Sequence, residues 1–134
     1  VSTFDVLRIS GSGLYANRKW MDAVSDNLAN INTATSTDQT AFQERMIVVQ
    51  AADYGSGQGG VQVAGAQFGS AEGRVVYEPD NALADADGYV RYPDIDMGDQ
   101  MTQLIQAQRS YQANLSSIDR ATDAYRAALQ LGKG

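Results

Sequence analysis

The sequence predicts a mainly α-helical chain with a small β region, in which long N- and C-terminal helices pair in coiled-coil fashion and short strands lie between them. Three observations lead there. Apolar residues recur at alternating spacings of three and four at both ends, the pattern switches to short β-branched runs in the middle, and the 134 residues include 13 Gly but only 2 Pro. The last of these favours long helices joined by flexible, glycine-rich connections.

The C-terminal third carries the clearest pattern. Met97, Met101, Leu104, Gln108, Tyr111, Leu115, Ile118, Thr122, Tyr125 and Leu129 follow one another four and three apart, and all but Gln108 and Thr122 are apolar or aromatic. This is a heptad seam on a helix roughly 50 Å long. Asp96, with Asp99 three residues on, marks a capped start, and Gly132 marks a stop. Gln108 and Thr122 are polar seam positions of the kind that set register. Tyr111 and Tyr125 read as packing residues with their hydroxyls at the edge.

A weaker form of the pattern opens the chain. Leu7, Leu14, Met21 and Leu28 recur every seven residues, Val24 and Ile31 fill alternate seam positions, and Ser10 and Asn17 occupy the other two. The expected helix spans about 3–32, bent or frayed near Gly11 and Gly13, where helix propensity drops. Asn30, Asn32 and Thr33 mark its end, since Asn tolerates the left-handed conformation at a helix stop. Trp20 lies one step off the seam beside Arg18 and Lys19, placed either for a neighbouring subunit or for ordinary packing.

Between the helices the period falls to two. Residues 44–50, 61–68, 74–78 and 89–92 read as short strands, and Gly55, Gly57, Gly59 and Gly60 as a flexible loop between the first two. The acid-rich stretch from Asp80 to Asp99 reads as a solvated, extended connection with turns. The expected division is an N-terminal helix at 1–33, a β-rich region at 34–95 and a C-terminal helix at 96–134. A heptad seam of this length needs a partner, because helices in water gain most of their stability by burying an apolar face. The two helices can serve each other, and further copies or similar subunits would cover what one hairpin leaves exposed. The pattern points to an assembly component.

Composition narrows the chemistry. There is no Cys and no His, and 16 acidic against 10 basic residues give a net charge of −6. Usual zinc sites, iron–sulfur clusters, disulfides and Ser-His or Cys-His nucleophile pairs are therefore excluded. The acidic balance argues against a nucleic-acid reader. No apolar run is long enough to span a bilayer, so no membrane insertion is expected. The first residues, Val1 to Ile9, show neither the basic nor the apolar region of a secretory signal, which predicts a cytoplasmic chain unless another machine exports it.

Two motifs are weighed and set aside. Gly11-Ser-Gly13-x-x-Ala16 is a loose dinucleotide fingerprint, but no strand ending in Asp or Glu follows at the required distance. Asp85-Ala-Asp87-Gly88 has the look of a calcium loop, yet its first and twelfth positions fall on Leu83 and Asp94, where an Asp and a Glu are required. It reads as an Asp/Gly turn. The carboxylates of 80–99 lack an apolar pocket to separate their pKa values, so no catalytic pair is assigned. No enzyme activity, cofactor or metal is expected.

The residues also carry a resemblance. Ser25-Asp-Asn27-Leu28-Ala29-Asn30-Ile-Asn32-Thr is similar to the Asn-Leu-Ala-Asn signature of the bacterial flagellar rod and hook proteins. Pro79-Asp80-Asn-Ala-Leu-Ala-Asp-Ala-Asp-Gly88-Tyr89-Val90, Pro93-Asp-Ile-Asp-Met97, Arg109-Ser110-Tyr111-Gln-Ala-Asn114-Leu and the closing Leu-Gly-Lys-Gly narrow it to the proximal rod subunits. The segment 33–40 departs from the family pattern, which carries Pro or Gly there, and leaves the path of the 34–41 connection open. The resemblance covers nearly the whole chain.

What it implies is a structural subunit of the basal-body rod, located outside the inner membrane and delivered by the flagellar type III export apparatus without a cleaved signal peptide. Both terminal helices would pack in the inner layer of the tube with the β region outside. The implied partners are its own copies, the other proximal rod proteins, the distal rod protein and an adaptor at the inner-membrane ring. Assembly would run through Leu7, Leu14, Met21, Val24, Leu28 and Ile31 with Met101, Leu104, Tyr111, Leu115, Ile118 and Tyr125, and the asparagines 27, 30 and 32 would fix the helix end and the turn into the β region. Two other classes remain open on the residues alone, namely a coiled-coil adaptor of another secretion apparatus and a small dinucleotide-binding protein.

Overall fold

Ser2 starts the first helix by a reciprocal cap. Its Oγ accepts the Asp5 N–H (3.2 Å), while its own N–H donates to Asp5 Oδ2 (2.9 Å). From there α1 runs Thr3–Asn30, followed by β1 (Arg45–Ala51), β2 (Val61–Phe68), β3 (Arg74–Tyr77), β4 (Tyr89–Tyr92) and α2 (Met97–Leu131). This computed structural model describes residues 2–53 and 59–133. Gly55 and Gly57 of the expected loop lie outside the described residues. The mainly helical fold with four short strands is the one the sequence predicts.

Asp96 caps α2 as its spacing suggests, accepting the Asp99 N–H on Oδ1 at 2.7 Å. Two expectations fail. α1 is continuous through Gly11 and Gly13 rather than frayed there. Nor does the helix leave through a left-handed Asn, since no described non-glycine residue has a positive φ. It closes on a turn in which the Thr33 N–H donates to the Asn30 carbonyl (3.0 Å) and Asn30 Nδ2 donates back to the Asp26 carbonyl (2.9 Å).

Two compact units organise the described residues. The first comprises Val1–Met21, Val48–Gly65 and Ile105–Gly134, the second Asp22–Ile47 and Ala66–Leu104.

In the first unit the two helical stretches run antiparallel. Phe4 meets Tyr125 edge-on (centroids 5.6 Å), Gly13 faces Asn114, and Asn17 Nδ2 donates to Ser110 Oγ (2.9 Å). Gly13 explains itself: a Cβ there would lie 2.6 Å from Asn114 Nδ2. The glycine thus permits a close helix approach that offsets its propensity cost. The buried residues are small or polar: Ser10, Ala16, Asn17, Ala52, Ala107 and Ala121. The residues around the β1–β2 connection are tied to α1 by the Val61 N–H to Ser12 Oγ (3.1 Å) and by Arg8 Nη1 to the Gly59 carbonyl (2.9 Å).

In the second unit β3 and β4 pair antiparallel in the register Arg74↔Tyr92, Val75↔Arg91, Val76↔Val90 and Tyr77↔Tyr89. The 34–41 connection lies along β4. Thr35 exchanges both backbone bonds with Arg91 (2.8 and 2.9 Å), and the Arg91 guanidinium donates to the carbonyls of Thr37 and Glu72. Ala23, Val24, Ile31, Ala41, Val90, Pro93 and Ile95 are buried here. The acid-rich stretch is largely solvent-exposed, and residues 85–88 form the Asp/Gly turn the sequence predicts, although hydrogen bonds fix it more tightly than an extended connection would be. Asp85 Oδ1 accepts the N–H groups of Asp87 and Tyr89 (both 2.9 Å), and Oδ2 accepts the Thr37 hydroxyl (2.8 Å). Gly88, at φ 87, closes the turn where a Cβ would strike the Tyr77 ring at 2.7 Å.

These bonds hold the Asp85 carboxyl below its ordinary value of 3.8, the Tyr89 N–H first and the Thr37 hydroxyl next. A depressed folded value means that the charged form supports the fold. The contribution is complete above the unfolded value near 3.8 and is lost as pH falls through the lower folded value. In an NMR titration the Tyr89 amide resonance should therefore hold from pH 7 down to about 4 and move only below that. Asp85→Ala should remove that acid-range movement.

Candidate assembly surface

A buried side-chain amide network ties the second unit together. Asn27, 1% exposed, sits on the last turns of α1, and Gln100, 0% exposed, on the first turn of α2. Asn27 Oδ1 accepts the Arg45 N–H (2.8 Å), and its Nδ2 donates to the Arg45 carbonyl (3.0 Å) and to Gln100 Oε1 (3.0 Å). Gln100 Nε2 then donates to Glu44 Oε1 at 2.6 Å. Asn27 thereby acts as a one-residue strand partner for the start of β1, with both amide hydrogens used. Outside this network Arg45 meets Asp26 in a solvent-exposed ion pair (2.8 Å), a geometry that contributes little.

Of the three asparagines expected to fix the helix end, Asn27 reaches the β region. Asn30 bonds within its own turn, and Asn32 is exposed. Leu28 is half-buried and Ala29 exposed. In the 79–90 motif Pro79, Asp80 and Tyr89 lie exposed, while Gly88 and Val90 are buried. In the 109–114 motif Arg109 is exposed, Tyr111 half-buried, Ser110 accepts from Asn17, and Asn114 Nδ2 donates to the Ser110 carbonyl (3.1 Å).

The seam residues divide. On α1, Leu7, Leu14, Met21 and Leu28 are half-buried, and Val24 and Ile31 are buried. On α2, Leu104, Tyr111 and Ile118 are half-buried, but Met101, Leu115 and Tyr125 are exposed, as are Met97 and Leu129. Leu115, expected inside a packed seam, is 42% exposed. The reason is steric. The face of α2 that the chain buries passes through Gln100, Ala107, Asn114 and Ala121, whose small or hydrogen-bonding side chains permit close approach, and the bulkier row is left beside it.

Gln100 and Glu44 are functional-looking residues that sequence reasoning passed over. The signal for the first was available: Gln100, Ala107, Asn114 and Ala121 themselves recur every seven residues. Glu44 has no periodic signature, and its partner Gln100 lies 56 residues away in sequence. Among the described residues no group of His, Cys, Asp or Glu is placed to hold a metal ion, and no helix is long and apolar enough to cross a membrane. A shallow groove of about 350 Å³ lined by Ser2, Thr3, Val6, Ser117, Arg120, Ala121 and Ala124 lies open in the first unit.

Comparison with known proteins places this arrangement among the flagellar axial proteins. The family model described as Flagella basal body rod protein matches residues 7–34, and that described as Flagellar basal body rod FlgEFG protein C-terminal matches 86–131. The flagellar basal-body rod protein FlgC of Salmonella typhimurium is 35% identical over 134 residues, 99% of this chain and 100% of that protein. The FlgC of Aquifex aeolicus is 34% identical over 97% of both chains, and that of Bacillus subtilis 29% identical over 99% of this chain and 100% of its own. The chain belongs to the FlgC family of flagellar basal-body rod proteins.

The amide network sets a clear expectation. Asn27→Ala strips the Arg45 backbone N–H and C=O and the Gln100 Oε1 of their partner, so urea denaturation should show a loss of roughly 1–3 kcal/mol. Asn30→Ala, which removes only solvent-exposed bonds, should stay within about 0.5 kcal/mol of the parent.

Proposed function

We propose that this chain is a building block of the proximal rod, joining its own copies and the other proximal and distal rod proteins into a shaft that passes motor torque toward the hook. The observation that supports this most is the set of large apolar side chains that α2 leaves in solvent, Met97 and Met101 in the second unit and Ile105, Leu115 and Leu129 in the first. A stripe of that size on a helix whose other face is already packed suits burial against neighbouring subunits. Stiffness then comes from the summed burial of many such contacts rather than from one strong bond. On this reading residues 1–33 and 96–134 form the assembling helices and 34–95 an outer β region. An adaptor at the inner-membrane ring and the flagellar type III export apparatus are the further partners. The chain performs no catalysis and takes no cofactor in this role.

Leu115→Asp tests it. A fully buried Leu is worth roughly 1.5–3 kcal/mol. In the isolated chain Leu115 is already partly solvated, so the fold should survive. In the shaft the same defect recurs in every copy, and a carboxylate must enter an apolar contact or take up a proton. Cells carrying only Leu115→Asp should export the protein, build no rod and fail to swim, whereas Ser116→Asp, one exposed residue along, should swim. Normal swimming by the Leu115 variant together with failure of the Ser116 variant would place the contact on another face.

A further inference from the structure

The β3–β4 ladder is finished on one side only. The Glu78 N–H donates to the Gly88 carbonyl (2.9 Å), so in the β3–β4 register Val76–Val90 and Arg74–Tyr92 are the hydrogen-bonded pairs. The backbone groups of Tyr89 and Arg91 therefore point to the far edge of β4, and all four are satisfied. Tyr89 donates to Asp85 Oδ1 and accepts the Asp85 N–H, while Arg91 exchanges both bonds with Thr35. The same alternation turns the backbone groups of Val75 and Tyr77 to the far edge of β3. Among the described residues β3 has β4 as its one strand neighbour, and the Val75 and Tyr77 side chains are 51% and 61% exposed. An open apolar edge is a template for another strand.

We propose that this edge is a self-pairing surface, on which two copies of the chain join their β3 strands antiparallel with Val75 of one opposite Tyr77 of the other. The choice of partner rests on complementarity already present in the strand. In that register the outward groups of Val75 and Tyr77 meet their counterparts in hydrogen-bonded pairs, Val76 faces Val76, and Arg74 of each copy stands opposite Glu78 of the other. Val75 and Tyr77 also form a β-branched–aromatic pair on the exposed face.

The neighbouring registers fail on specific atoms. Sliding one way sets Tyr77 against Gly73, whose N–H is already given to Ser70 Oγ (3.1 Å). Sliding the other way sets Val75 against Pro79, which has no N–H to give. The contact closes on itself about a two-fold axis, so it pairs free subunits and cannot by itself extend a shaft. Being only one short strand wide, it falls well below the roughly 1,200 Å² of a stable interface, and the association it gives is weak and concentration-dependent.

The test uses the full chain. Nitrogen-15 NMR spectra over a concentration series, with sedimentation equilibrium alongside, should show the Val75 and Tyr77 amides shifting as the dimer forms. Arg74→Glu and Glu78→Arg each place like charges opposite one another twice, so each alone should weaken self-association by about tenfold or more. An equimolar mixture of the two restores opposite charges at both positions and should recover a heterodimer. Val75→Lys, on an exposed side chain, should also suppress pairing while leaving the β3–β4 resonances in place. A chain that stays monomeric at millimolar concentration would overturn the proposal. So would concentration-dependent shifts confined to α2, or a mixture that associates no better than its separate variants. None of these outcomes bears on swimming by the Leu115 variant, so the two readings fail independently.

Discussion

Everything in the second unit turns on one side chain that behaves as backbone. Asn27 offers Arg45 the donor and acceptor a neighbouring strand would offer, and spends its remaining amide hydrogen on Gln100. A buried amide left without partners costs more than a made bond returns, so the network is stable only when complete. Completion requires the end of α1, the start of β1 and the first turn of α2 to be in place together. A single set of short bonds therefore specifies which segments meet, whereas apolar contact alone would tolerate sliding. Gln100 carries this further by reaching Glu44, the residue just before β1.

The first unit follows a related rule with different residues. Its interior is alanine, serine and asparagine, and a glycine at 13 lets the α1 backbone approach Asn114. Small side chains bring helices close but bury little apolar area per residue. Packing of this kind leaves the bulky residues of α2 beside the contact rather than in it. For a free monomer that is an economy of core. On the proposed reading, a member of the FlgC family thereby keeps an apolar surface in reserve for neighbours.

Much of the fold was legible because it is written in periods. Strand limits at 61–68 and 89–92 and helix limits near 3 and 97 follow from alternation, spacing and the Asp96 cap. What was not legible depends on residues far apart in sequence. The apolar heptad Met97 to Leu129 drew attention to the larger side chains, while the chain packs through the parallel heptad of Gln100, Ala107, Asn114 and Ala121. Size alone cannot tell which of two adjacent stripes an α-helix turns inward. The glycines of α1 were read as weak points because propensity is local, and the close approach of Asn114 to Gly13 is not. The Asp/Gly turn at 85–88 was legible from its residues, but nothing near it in sequence announces that Thr37 will donate to Asp85.

The central claim is that α2 packs through small and polar residues and holds its bulky residues for the shaft. Methionine oxidation read by mass spectrometry tests this most directly, because Met97 and Met101 lie in the exposed row, 50% and 44% accessible. Half-buried Met21 and Met46 serve as internal references. In the isolated subunit Met97 and Met101 should oxidise faster than both references, and in intact basal bodies they should become protected. Equal oxidation of Met97 and Met101 in the free and assembled states would contradict the account.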